Sequence, residues 1–398
     1  MSDQPTNSAI NLLDGNFYAR DPHSHFTWMR QNAPVYWDPE GKVWGISRHA
    51  HIMEISKRPD TFCNRFGMRP DSPAIPSMIN LDGLEHKRRR NLVNAGFTPR
   101  RVEEYEPKVR QVCRELIERV ASRGECEFVM DLAAHLPMIM IGDMLGVEPE
   151  DRGMLLRWSD DLILGTSATA TPEAAAGAQQ AFLEYAEYNR RVVADRRSRP
   201  AAEDLMSVLV HAEIDGEKLA DEELLQEGLL ILVGGDETTR HVIVGGMERL
   251  IAHPDQRQQL IDDPARIPRA VEEMLRWVTP IQNMARTALR DFEFHGRLIR
   301  EGDKLMLLYV SANRDEDVFE DPFGFDSGRH PNEHVAFGGY GPHFCLGHSL
   351  ARLELRVFFE ELLPRLPDMA LADDALLTWR PSNFITGIER MPVRFTPR

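Results

Sequence analysis

Cys345 stands in the run Ala336-Phe337-Gly338-Gly339-Tyr340-Gly341-Pro342-His343-Phe344-Cys345-Leu346-Gly347, just ahead of an apolar helical segment. Glycines at 338, 339, 341 and 347 let backbone N–H groups turn toward one point, and a helix N-terminus adds positive potential that lowers a thiol pKa. A sulfur in that position is an anion offered to a metal. A lone free cysteine is more often inert core, but core packing needs neither a glycine nest before it nor a histidine two residues upstream.

Three further groups have the types and spacing for chemistry. In Gly234-Gly235-Asp236-Glu237-Thr238-Thr239, two glycines and an acid pair interrupt an otherwise apolar helical stretch. Adjacent glycines cost a buried helix about 2 kcal/mol in propensity, so either something approaches the backbone there or another helix packs closely. On the first reading, the small residues admit a flat ligand with a small molecule beside it, and Glu237 and Thr238 relay protons from solvent. His86 and Arg90, four apart on one helical face, together with Arg286 and His343, supply four donors that could converge on a pair of carboxylates. In the basic run Lys87-Arg88-Arg89-Arg90, three of the four are expected on a solvated face and one pointing inward. Glu273 and Arg276, at i and i+3, can pair, and Arg329 can share the same carboxylate by planar, multidentate hydrogen bonds.

The elements that must position these residues are mostly helices. From Glu104 to Val120, Tyr105, Val109, Val112, Cys113, Leu116 and Ile117 fall on one face at helical period. The longest helix is expected from about Asp221 to Ile251, acidic in its first turn and ending before His253-Pro254; at 1.5 Å per residue it would reach roughly 45 Å. Strand signals are short: Val35-Tyr36-Trp37, Val43-Trp44-Gly45-Ile46, and Leu305 to Val310. A large helical body with small peripheral sheets follows. No repeat, linker or shift of composition divides residues 1–398, so one domain is the simplest organisation.

Composition narrows the function classes. The 398 residues are 42% hydrophobic, enough for a large core, and the net charge of −16 argues against a nucleic-acid partner. Cys63, Cys113, Cys126 and Cys345 are too few and scattered for a disulfide framework or zinc site, which fits a reducing cytosol. Met1 to Asn7 carry no basic start or apolar run, and no stretch of about twenty apolar residues follows, so neither export nor a membrane anchor is expected.

Together these motifs resemble the cytochrome P-450 superfamily, the haem-thiolate monooxygenases, over essentially the whole chain. The resemblance implies a mainly α cytochrome P-450 fold and a haem b whose iron is bound by Cys345. His86, Arg90, Gly235, Arg286, Phe337, His343 and Gly347 match positions around that cofactor, and Thr238, Glu237 and Asp236 match the oxygen-activating motif. Glu273, Arg276 and Arg329 match the structural triad. One departure stands out: the family's aromatic usually lies seven residues before the cysteine, where this chain has Gly338, so either Phe337 or Tyr340 would shield the sulfur.

The chain contains no GxGxxG motif after a strand, so electrons would come from a separate ferredoxin and ferredoxin reductase. Lys87, Arg88, Arg89, Arg100 and Arg101 are the candidate docking patch. Phe66 to Met68, Pro73 to Ile79 and Leu162 to Gly165 are apolar and would line a pocket for a hydrophobic substrate. Asp14 to Tyr18, Asn94 to Thr98, Ile141 to Gly146, Arg157 to Asp161 and Gly234 to Arg240 are similar to actinobacterial enzymes that oxidise the terminal carbon of the cholesterol side chain. The activity expected is therefore hydroxylation of a sterol side chain with O2. The alternatives are a fatty-acid or terpenoid hydroxylase of the same fold, a non-catalytic haem-thiolate binder, and a helical scaffold whose cysteine is inert.

Overall fold

In the computed structural model, residues 5–165, 170–202, 204–214, 216–373 and 375–398 are described; Met1 to Gln4, part of the N-terminal reading, lie outside them. Strands β1 (Val35–Asp38), β2 (Val43–Ile46), β3 (Phe62–Cys63), β4 (Asn283–Ala288) and β5 (Lys304–Leu308) form one sheet in the order β1-β2-β5-β4-β3. A hairpin of β6 (Thr378–Trp379) and β7 (Ile388–Arg390) lies near the C-terminus. The strand expected to run to Val310 ends at Leu308, because Tyr309–Ala312 turns into a short helix. Leu305 pairs with Arg286 across the β4–β5 ladder, which fixes where that arginine leaves the sheet.

The body consists of α1 (His49–Ser56), α2 (Gly83–Asn94), α3 (Glu106–Ala121), α4 (His135–Met144), α5 (Arg152–Gly165), α6 (Pro172–Ser198), α7 (Asp221–Ala252), α8 (Ile267–Val278) and α9 (His348–Arg365), with shorter turns between them. Helix α3 buries Val109, Val112, Cys113, Leu116, Ile117 and Val120, the face its periodicity predicts. Tyr105 sits one residue outside its start.

Helix α7 is the axis of the molecule. Its first turn is acidic, and the Glu223 carboxylate accepts the Ala220 N–H at 2.9 Å, satisfying a donor that the helix leaves free. It ends at His253 because Pro254 cannot continue it. Helices α4, α5, α6, α8 and α9 all pack on it, so its middle is surrounded by the largest hydrophobic core cluster. Helix α8 presents Ile267, Ala270, Val271, Met274 and Leu275 to that core. Its end is capped by Thr279 in the left-handed region at φ 43°, from which the chain enters β4.

Candidate functional site

The loop before α9 is pressed against the end of α1. A Cβ at Gly341 would overlap the Ser56 carbonyl, and one at Gly339 would overlap the Ser56 side chain. Gly338 has φ 93°, which an L side chain rarely adopts. These three glycines serve loop packing and turning. The loop closes on itself through the Cys345 N–H, which donates to the Phe337 carbonyl at 3.0 Å.

Phe337 lines the same cavity as Cys345 and is covered by the Arg352 guanidinium, 4.6 Å from the ring centroid. Tyr340 is 51% exposed and stacks on Phe344. Of the two aromatic candidates, Phe337 is therefore the one beside the sulfur.

Burial pushes the Cys345 thiol pKa up, against the lowering that a helix start alone would give. The Gly347 and His348 N–H groups and the charges of Arg90 and Arg352 pull the other way. A metal ion at the sulfur adds the charge that makes it a thiolate.

Around Cys345 lies a cavity of about 230 Å³ that opens to solvent. Gly234, Gly235, Thr238 and Thr239 of α7 line it, as do His86, Arg90, Arg286, His343 and Gly347. The two glycines of α7 divide the readings between them. Nothing lies within 4 Å of a Cβ built at Gly234, whereas one at Gly235 would overlap Ile141 of α4. Gly234 opens space, and Gly235 also admits close helix packing.

The four cationic and imidazole groups converge as their residue types suggested. The His86 and His343 rings lie 4.1 Å apart, Arg90 donates to the Phe344 carbonyl, and Arg286 donates to the Ala285 carbonyl at 2.8 Å. Burial, then Arg286, His86 and Arg90, push His343 down to about 2. Four donors gathered in a cavity with no carboxylate bonded to them among the described residues fit a ligand that brings its own negative charge, such as a flat macrocycle with two carboxylates. Together with the sulfur and the open space at Gly234 and Gly347, the donor set fits haem b.

The acid–alcohol run is placed unevenly. Thr238 faces the cavity, and its hydroxyl donates to the Gly234 carbonyl at 2.9 Å. Glu237 and Asp236 are fully buried and do not line the cavity. Glu237 Oε1 accepts from Arg240 at 2.7 Å and Arg380 at 2.5 Å, and Arg380 also bonds Glu389 of β7 at 2.8 Å. Glu237 Oε2 and both Asp236 oxygens have no hydrogen-bond partner. Burial raises the pKa of both acids, Asp236 to about 7.

Behind the loop, Glu273 accepts from Arg276 twice at 2.7 Å, from Arg329 at 3.1 Å and from Asn332 at 3.1 Å. The neighbouring Glu272 grips Arg352 and His334, which brace α9 and the cysteine loop; this set had no signal in the sequence.

Other expectations need correction. Met78 and Ile79 line the cavity, but Phe66 is 52% exposed and Leu164 lines a separate surface cleft, while Leu162 packs in the main core. Much of the apolar wall comes instead from Leu230, Ile231, Val242, Ile281 and Met284. In the basic run, two side chains turn inward, not one: Arg89 is 5% exposed and bonded to α7, so it leaves the docking patch.

Residues 147–366 match the family model for Cytochrome P450. The chain is 51% identical over 390 residues to a steroid C26-monooxygenase of Mycobacterium tuberculosis, covering 98% of this chain and 97% of that protein. It is 48% identical over 398 residues to a steroid C26-monooxygenase of Mycolicibacterium smegmatis, covering 100% and 98% respectively. Among solved structures, Mycobacterium marinum cytochrome P450 CYP268A2 in complex with pseudoionone superposes with TM-score 0.90 at 34% identity, covering 99% of this chain and 100% of that one. Bacillus megaterium CYP109E1 in complex with testosterone gives TM-score 0.86 at 32% identity, covering 94% and 99%. The residues gathered around Cys345 and the full-length likeness to these proteins lead to one conclusion: the chain belongs to the cytochrome P450 family, whose haem b is bound through a cysteine thiolate.

Proposed function

We propose that this protein is a monooxygenase that hydroxylates the terminal carbon of a steroid side chain. The observation that carries the reading is the 51% identity, over nearly the whole chain, to a steroid C26-monooxygenase. The apolar wall of Met78, Ile79, Leu230, Ile231, Ile281 and Met284 supports it, since it offers area to a hydrocarbon and no charge to a sugar or nucleotide.

Bound in this cavity, haem supplies oxygen activation and the oxidation of an unactivated C–H bond. The chain's own residues hold and direct that chemistry. Cys345 is the metal ligand, and the Gly347 and His348 amides take negative charge off its sulfur. Arg90, Arg286, His86 and His343 hold the cofactor's carboxylates. Thr238, its proton held on the Gly234 carbonyl, offers its hydroxyl oxygen as a hydrogen-bond acceptor at the cavity. Glu237 stores a proton behind it, held at Oε1 by Arg240 and Arg380 while Oε2 stays free to exchange, and Asp236 is a second buried proton store.

Electrons come, on this reading, from a ferredoxin and its reductase, docking over exposed Lys87 and Arg100 and half-buried Arg88 and Arg101. The four cysteines, all free, suit the reducing cytosol in which such a partner would be met. Reduction by ferredoxin should slow as ionic strength rises, and Lys87→Glu should slow it further.

A terpenoid substrate is the second reading, favoured by the likeness to the pseudoionone complex. Titration of the haem spectrum with cholest-4-en-3-one, phytanic acid and pseudoionone separates the two. The steroid should displace water from the iron and yield a product hydroxylated at the chain terminus; a response confined to the acid or the terpenoid overturns the proposal.

A further inference from the structure

Between Asp71 and Asn80 the chain forms a wall with solvent on one side and the cavity on the other. Pro73, Ala74 and Pro76 are exposed, while Met78 and Ile79 line the cavity. Apart from the short turn Met78–Asn80, the segment has no helix or strand to hold it. Asn64 and Asn80 donate to the Ile79 and Ile75 carbonyls at 2.9 and 3.0 Å, and a carboxylate of α7 fastens the stretch between them. The Met78 N–H donates to Glu227 Oε1 of α7 at 2.7 Å. The Arg89 guanidinium of α2 donates from one nitrogen to both the Pro76 carbonyl, at 3.0 Å, and Glu227 Oε1, at 3.2 Å. Its other terminal nitrogen reaches Glu223.

Glu227 is completely buried, and its Oε2 has no hydrogen-bond partner among the described residues. One turn further along α7 come Leu230 and Ile231, which line the cavity. No motif and no step of the proposed reaction uses Glu227 or Arg89.

We propose that Glu227 is a positioning residue: with Arg89 it clamps the Pro76–Met78 segment to α7 and thereby fixes the wall through which ligands reach the haem. A buried carboxylate is a costly way to fasten a loop, because an ion removed from water must be matched by hydrogen bonds, and here one oxygen is left without any. The fastening is correspondingly sensitive to charge. Burial penalises the ionised carboxyl, which release would return to water, whereas a neutral carboxyl still accepts the Met78 and Arg89 bonds without that cost.

The charged groups facing Glu227 are Arg89 and, beyond it, Glu85 on α2, and Glu223 on α7; the wall segment contributes the uncharged Ser77 and Met78. Burial, opposed by the Met78 N–H and Arg89, raises the Glu227 pKa to about 7. Because burial raises this pKa in the clamped state, the clamp holds its proton more tightly than a water-exposed carboxyl would, so it is firmest below about pH 7 and loosens as pH rises. The wall of the cavity answers to pH through a residue that touches neither cofactor nor substrate.

The clamp rests on the reading of the cavity as the ligand site, not on the steroid assignment, so its test uses a ligand of the haem itself. In the holoenzyme, amide hydrogen exchange of residues 75–80, corrected for intrinsic rate, should be about tenfold faster at pH 8 than at pH 6, while β5 stays protected at both. Dissociation of 4-phenylimidazole, followed by the haem spectrum, should accelerate in parallel. Glu227→Gln, neutral at every pH, should exchange and release the azole at rates that do not differ between the two pH values. Glu227→Ala, which leaves the Met78 N–H and Arg89 without their acceptor, should be fast at both, and Arg89→Lys, which keeps the charge and loses the fork, should fall between Glu227→Ala and the unaltered protein at pH 6. Exchange and azole release that do not change between pH 6 and 8 in the unaltered protein overturn the clamp, as does a Glu227→Ala protein that matches it at pH 6. The unaltered protein alone decides the question if the variants do not fold. Loss of the steroid response with the exchange pattern intact would instead count against the substrate.

Discussion

The Cys345 N–H and the Phe337 carbonyl are joined by a 3.0 Å hydrogen bond that closes the arc of loop from Phe337 to Cys345. The arc carries Gly338 at φ 93° and Tyr340 at φ 53°, and its outer edge lies on Ser56 at the end of α1. The residue that lengthens the loop is accommodated at Tyr340, which turns outward and stacks on Phe344. The aromatic beside the sulfur is therefore kept in place although its spacing from the cysteine differs from the family's usual one.

Because a side chain at 341 would collide with main chain rather than a flexible tip, Gly341→Ala must shift the loop or α1. The variant should retain several-fold less haem per protein than the unaltered chain, measured by the ratio of Soret to protein absorbance. Gly153→Ala, on α5 and outside the cavity lining, meets no protein atom and serves as the comparison.

Glu273 is surrounded by Arg276, Arg329 and Asn332, with Arg276 itself 0% exposed. Glu273→Ala leaves a buried guanidinium without its anion and should lower unfolding free energy by about 3–5 kcal/mol. Denaturant titration checks the size, and Glu273→Gln, which keeps part of the hydrogen bonding, should lose less.

How much of this was legible in the sequence depends on how far apart the partners are. The cysteine loop, the helix from Asp221 and the Glu273–Arg276 pair are local patterns, and each stands where its spacing put it. Arg89 and Glu227 are separated by 138 residues, Arg380 and Glu237 by 143, and Arg352 and Glu272 by 80. Nothing local marks such pairs, because each half reads as an ordinary surface charge until tertiary packing buries it. The pocket-lining segments failed for a related reason: apolar runs such as Leu162 to Leu164 divide between core and surface cleft by helical face, and the run alone does not say which face meets the cavity.

Thr238 is the member of the acid–alcohol run that reaches the cavity, and its hydroxyl already bonds the Gly234 carbonyl. Thr238→Ala should leave substrate binding within about twofold, as the change removes no apolar contact area of consequence. The yield of product per dioxygen consumed should fall several-fold, with peroxide making up the difference. Unchanged coupling would remove Thr238 from proton delivery.

Asp236 is held near 7, well above the ordinary 3.8, by burial first, with Arg240 opposing and Glu237 and Asp160 adding to the rise. A folded-state pKa above the unfolded one means the native state binds the proton more tightly. The associated stability is present at low pH and is lost as pH climbs from about 4 through about 7. Asp236→Asn removes that dependence. Its stability relative to the unaltered protein should rise between pH 5 and pH 8, by at most a few kcal/mol, as read from urea midpoints at the two pH values.

The most direct test of the whole account is the optical spectrum of the reduced protein under carbon monoxide. Sulfur ligation by Cys345 predicts a strongly red-shifted Soret band that Cys345→Ala abolishes. A band of the imidazole-ligated type, or no haem band at all in protein from haem-replete cells, would contradict it.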